Sequence, residues 1–174
     1  MVQNVIRLLA LGTLVFNVLI VLFIFSFIFL KSFYKKLRDL LKGKEVLISF
    51  AVSLIATFGS LFLSEIAKYT PCEFCWFQRI FMYPLTIILG VSYFKKAKDV
   101  EKYVIPITFV GGVISLYHNY LQRAANPFAP CSAVGFSVSC TDKFFTYYGY
   151  ITIPFMALTA FVTIFILMLL KKGR

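Results

Sequence analysis

Long apolar runs alternate along the chain with short polar segments that are mostly basic. Five runs stand out, at residues 8–30, 46–67, 76–94, 103–121 and 149–170. Each is long enough for a membrane-spanning helix, which takes roughly 17–25 predominantly apolar residues. The runs are continuous and do not alternate, so helices are expected and barrel strands are not. Residues 33–41 differ: Phe33, Tyr34, Leu37, Leu40 and Leu41 recur at helical spacing among lysines, the pattern of a short amphipathic helix at the membrane interface. The first run competes with a signal peptide. It has one early charge, Arg7, an apolar stretch too long for that role, and basic residues after it with no small-residue cleavage site, so it reads as a retained helix. The expected fold is all-α: five membrane-spanning helices, with the basic amphipathic segment between the first and the second.

Composition narrows the class. Of 174 residues, 60% are hydrophobic and 14% charged, against about 45–50% and a quarter in soluble domains. That excludes a soluble globular or disordered chain and leaves an integral membrane protein. The net charge of +11 first suggests nucleic acid, but the distribution argues otherwise. Segments 31–44 and 95–102 and the tail after residue 170 hold thirteen of the 18 basic residues, all on one side of a five-span arrangement. That side is expected to be cytoplasmic, with the N-terminus and segments 68–75 and 123–148 outside. Loops this short offer no folded basic face for nucleic acid, so the bilayer is the expected partner of these charges. Tyr147, Tyr148 and Tyr150 read as an interfacial aromatic belt.

The four cysteines, Cys72, Cys75, Cys131 and Cys140, all fall on the outer side, the compartment where disulfides persist. Three pairings exist for four cysteines, and the spacing makes two local pairs plausible: Cys72 with Cys75, and Cys131 with Cys140. Structural staples are the competing reading, a weak one for Cys72 and Cys75 because a minimal loop gains little from closure. A C-x-x-C pair is more often a redox switch. Thr70-Pro71-Cys72-Glu73 predicts a helix start with Thr70 as N-cap, Pro71 at N1 and Glu73 completing a capping box. Both cysteines would then sit at a helix N-terminus, whose dipole favours a thiolate. Arg79 follows Cys75 by four residues, on the same face and about 6 Å deeper. A guanidinium inside a span costs roughly 2.5–3.5 kcal/mol on insertion scales, so Arg79 either snorkels to the interface or serves a ligand. Gln78 adds a second polar group beside it. His118, the single histidine, is either a satisfied packing residue or a hydrogen-bonding group for a ligand shared with Arg79. The cysteine gaps do not match usual metal-ligand spacing, and no metal is expected.

The run Cys72-Glu73-Phe74-Cys75-Trp76-Phe77-Gln78-Arg79-Ile80, followed by Met82-Tyr83-Pro84, closely resembles the DsbB family, best its shorter BdbC-like branch. Tyr117-His118-Asn119-Tyr120 and the Cys131 and Cys140 pair fit the same pattern, and the resemblance covers residues 45–172. It implies a prokaryotic inner-membrane thiol:quinone oxidoreductase that reoxidises an extracytoplasmic thioredoxin-fold partner of the DsbA type and passes two electrons to ubiquinone or menaquinone. By the same resemblance Cys72 and Cys75 form the disulfide beside the quinone, with Cys75 facing it. Arg79, His118 and Gln78 belong to the quinone site. Cys131 is attacked by the partner, and Cys140 exchanges with Cys72. It also implies an all-α four-helix membrane bundle over residues 45–174, to which residues 1–44 add an extra transmembrane helix and the basic amphipathic segment; that extra span and the short interval between Cys131 and Cys140 depart from the pattern. Two rival readings remain at this point. One is a scaffold stapled by structural disulfides; the other is the same couple run reductively, as in vitamin K epoxide reductase relatives.

Overall fold

The computed structural model describes residues 2–124 and 138–172 and is all-helical. Its helices are α1 (Val2–Phe29), α2 (Lys31–Leu41), α3 (Glu45–Leu61, widening into a π-helical turn at Phe62–Ile66), α4 (Glu73–Lys95), α5 (Glu101–Leu121) and α6 (Ile153–Lys172). Among the described residues five helices are long and apolar enough to cross a membrane, α2 being the exception. They coincide with the five runs. The last begins four residues later than predicted, because Tyr148 and Gly149 adopt positive φ in a tight turn closed by the Tyr147–Ile151 bridge, a conformation that suits glycine and ends the approach to the helix.

Helices α3 to α6 form an up-down-up-down bundle in which each packs on its sequence neighbour and α6 closes back on α3. Leu85, Leu89, Val104, Phe161, Ile164 and Met168 fill its centre. Close approach is set by glycine at two seams. An added Cβ at Gly111 would lie 2.4 Å from Phe161 Cε1, and one at Gly90 would lie 2.9 Å from Phe50 Cε2. With no hydrophobic gain between helices in lipid, small residues at contacts and interhelical hydrogen bonds hold the bundle. One such bond joins Thr57 Oγ1 and Thr86 Oγ1 at 2.9 Å, across α3 and α4. At the end of the bundle away from Cys72, Lys171 Nζ meets Glu101 Oε2 at 2.6 Å, joining α6 to α5.

The extra helix α1 lies outside this ring against α6. Thr159 Oγ1 donates to Asn17 Oδ1 at 3.0 Å, and Leu9 touches α3 at Gly59. Helix α2 turns back after Leu30, with Tyr34 packed between Phe23 and Phe27.

Candidate functional site

The first turn of α4 carries the dithiol. Cys72, not Thr70, is the N-cap, in extended conformation (φ −77°, ψ 174°), and no side chain caps the helix. The predicted capping box is therefore absent. Pro71 stays in the approach segment, and Cys72 and Cys75 occupy the N-cap and N3 positions that a capping pair would use. Their Sγ atoms lie 3.0 Å apart as free thiols. Cys72 precedes the span, and its contact with Cys75 holds its thiol far below the ordinary range, to about 4. Burial opposes that shift, and the neighbouring His118 reinforces it.

Two different surroundings meet at this turn. On one side lie Cys140, Leu121, Val138 and Tyr117, packed on Cys72. Cys140 is buried and disulfide-bonded; Cys131, named from sequence as a catalytic cysteine, lies outside the described residues. His118, 1% exposed, reaches the Cys140 carbonyl through Nε2 at 3.2 Å. A carbonyl only accepts, so Nε2 carries the proton, and Nδ1 accepts from Gln78 Nε2 at 3.1 Å. The same Nε2 stands 3.5 Å from Cys72 Sγ. The ligand atoms of Cys72, His118 and Cys140 all lie within 4.8 Å of one another. The Cys140 sulfur of this trio is committed to a disulfide.

On the other side is a cavity of about 410 Å³ bounded by α1, α3, α4 and α6, within the usual range of small-molecule sites. Cys75, Gln78 and Arg79 line it, as do Tyr69, Pro71 and Phe144 from the segments beside the start of α4, with Tyr69 and Phe144 stacked at 4.8 Å. Arg79 neither snorkels freely nor floats. Its Nε donates to Ser60 Oγ at 3.0 Å, its Nη2 donates to the Ser60 carbonyl at 3.2 Å, and the guanidinium lies 5.1 Å from the Trp76 ring centroid. Among the described residues these bonds use two of its five donors. Tyr83 Oη also donates to Ser60 Oγ, at 3.4 Å.

Sequence had grouped His118 with Arg79 around one ligand. The structure separates them: His118 faces Cys72 and Cys140 and does not line the cavity, because the Cys140 carbonyl and Gln78 fix its ring on the far side of the dithiol. Gln78 is the side chain that reaches both. Ser60 was missed. In a Gly59-Ser60 pair it reads as small-residue packing, and nothing local marks it as the anchor of an arginine 19 residues on.

Residues 44–171 match the family described as disulfide bond formation protein DsbB. The chain is 46% identical over 126 residues to disulfide bond formation protein C of Bacillus subtilis, covering 72% of this chain and 91% of that one. It is 44% identical over 127 residues to a probable disulfide formation protein C of Bacillus cereus, covering 73% and 91%. A probable disulfide formation protein of Oceanobacillus iheyensis is 40% identical over 151 residues, 83% of this chain and 99% of that protein. No solved structure matches the chain. With a C-x-x-C dithiol at the mouth of a membrane bundle and a second, disulfide-bonded cysteine against it, the chain belongs to the DsbB family of membrane disulfide bond formation proteins.

Proposed function

We propose that this protein reoxidises an extracytoplasmic thioredoxin-fold partner of the DsbA type and delivers the two electrons to a membrane quinone. The observation that carries the reading is the position of the Cys72–Cys75 dithiol between disulfide-bonded Cys140 and a cavity lined by Cys75 and Arg79.

Thiol–disulfide exchange proceeds by thiolate attack on a disulfide sulfur. The oxidised cycle starts with Cys72–Cys75 and Cys131–Cys140 bonds. A partner thiolate attacks Cys131, forming a mixed disulfide and releasing Cys140 as thiolate. Cys140, within 4.8 Å of Cys72, attacks it, forming Cys72–Cys140 and expelling Cys75 as thiolate. The partner's second thiolate resolves the mixed disulfide, which leaves the partner oxidised and Cys131 free. Cys131 attacks Cys140, restoring their bond and releasing Cys72. The partner's two electrons then reside on Cys72 and Cys75, the arrangement of free dithiol and bonded Cys140 described above.

The cavity fits a quinone: its walls are largely apolar and its charged donor stands beside Cys75. When bound, the quinone accepts two electrons and two protons. Arg79 holds positive charge next to the Cys75 sulfur, where thiolate charge develops, and Ser60 keeps the guanidinium aimed without reorganisation. His118 donates from Nε2 towards Cys72 and the Cys140 carbonyl, steadying the exchange side.

Purified protein given a reduced DsbA-type partner should reduce one quinone per disulfide formed. Cys75→Ser and Arg79→Ala should lower quinone reduction, whereas Cys131→Ser should block partner oxidation while dithiothreitol still supports turnover. Absence of quinone reduction with the partner left reduced overturns the proposal.

A further inference from the structure

The cavity beside Cys75 is not enclosed by the four-helix bundle alone. Its remaining wall is α1, which lies outside residues 44–171 matched to the family. Val5, Leu8, Leu9, Gly12, Thr13 and Phe16 line it, spaced by three or four residues along one helical face. Leu11, Val15, Val18 and Leu22, off that face, are exposed apolar residues suited to lipid. The helix thus turns one face to the cavity, with Leu8 and Gly12 on it exposed, although it is apolar all round.

Resting on the quinone reading above, we propose that α1 selects the acceptor by its tail: it forms the wall against which the apolar isoprenoid chain of the quinone lies. Three observations carry this. The charged and thiol groups of the cavity, Arg79 and Cys75, belong to α4, and α1 contributes no charged group to the lining. The hydroxyls along the α1 and α6 walls are satisfied by their own helices: Thr13 Oγ1 donates to the Leu9 carbonyl at 2.9 Å, Thr159 Oγ1 to the Phe155 carbonyl at 3.0 Å, and Thr163 Oγ1 to the Thr159 carbonyl at 2.7 Å. An added Cβ at Gly12 would meet nothing within 4 Å, so the wall is open at mid-helix, where a guest chain has room. The anchors that hold α1 in place, Asn17 to Thr159 and Leu9 against Gly59, flank this opening.

Gly12→Phe fills that space from α1 without touching Cys75 or Arg79. In detergent-solubilised full-length protein driven by dithiothreitol, its KM for a long-tailed isoprenoid quinone should rise roughly tenfold relative to its KM for a tail-less ring analogue, the scale on which apolar pockets discriminate by size. Val18→Phe, the same addition on the lipid-facing side, should leave the ratio as in wild type. The rise in melting temperature on adding long-tailed quinone should be lost in Gly12→Phe, and reduced in the milder Gly12→Leu should the larger variant not fold. A Gly12→Phe ratio equal to wild type, or both KM values rising together, overturns the tail-wall proposal and leaves the oxidase reading intact. A wild type that reduces neither acceptor overturns both.

Discussion

Arg79 is tied to one residue of the neighbouring helix through both kinds of acceptor that residue has: Nε to Ser60 Oγ at 3.0 Å and Nη2 to the Ser60 carbonyl at 3.2 Å. Ser60→Ala keeps the charge and removes one tether. Hydrogen bonds to charged groups contribute about 1.5–3 kcal/mol, so kcat/KM for quinone should fall roughly tenfold or more while exchange with the partner is unchanged. Ser60→Thr should restore it; Arg79→Lys should not, because an ammonium lacks the forked geometry. Equal losses in both half-reactions would mean Ser60 is merely structural.

The Cys72 thiol, held at about 4 by Cys75 and His118, should be a thiolate at neutral pH. A lowered pKa means that the charged form exists above that value and is lost only as the pH falls through it. The ultraviolet thiolate absorbance of the reduced protein, differenced against Cys72→Ser, should therefore persist through neutrality and vanish around pH 4. His118→Ala should move the midpoint upwards. A midpoint near the ordinary value of about 8.5 would refute the stabilisation.

Gly111→Ala drives a methyl to within 2.4 Å of Phe161 Cε1, inside the α5–α6 seam. Overpacking of this kind costs about 1–3 kcal/mol, which should lower the thermal unfolding midpoint in detergent. Gly112→Ala is the matched control, since its Cβ would make an ordinary 3.8 Å contact with Phe161 Cβ. Similar melting of the two variants would contradict the close packing at Gly111.

Charge distribution fixes the expected orientation. In a background with the four native cysteines changed to serine, Lys143→Cys should react with a membrane-impermeant thiol reagent on intact cells. Lys36→Cys should react only after permeabilisation. The opposite pattern would invert the topology and place the dithiol inside.

Much of the fold was legible because spanning helices announce themselves by length: the five runs became five helices, and the lysine-laced segment became α2. The C-x-x-C and the intramembrane arginine were equally visible, since each is costly or unusual where it stands. What sequence did not carry was direction around a helix. A helix apolar on every side has no preferred face, so neither the cavity-lining role of α1 nor the turning of His118 away from Arg79 could be read. The cap at Cys72 was hidden for another reason: Thr70-Pro71 is a good helix start locally, whereas the helix begins two residues later, with Cys72 as its N-cap.

The first turn of α4 has a consequence as a partition. Cys72 belongs to the side of His118 and Cys140, the cavity is lined by Cys75, and no residue of α5 borders that cavity. In the proposed cycle thiols enter by way of Cys72 and electrons leave by way of Cys75, the two ends of a single helical turn. For the relay proposed above, this placement means that electrons from an arriving thiol reach a lipid-borne acceptor through the two sulfurs of that turn, so each electron pair delivered corresponds to one disulfide made.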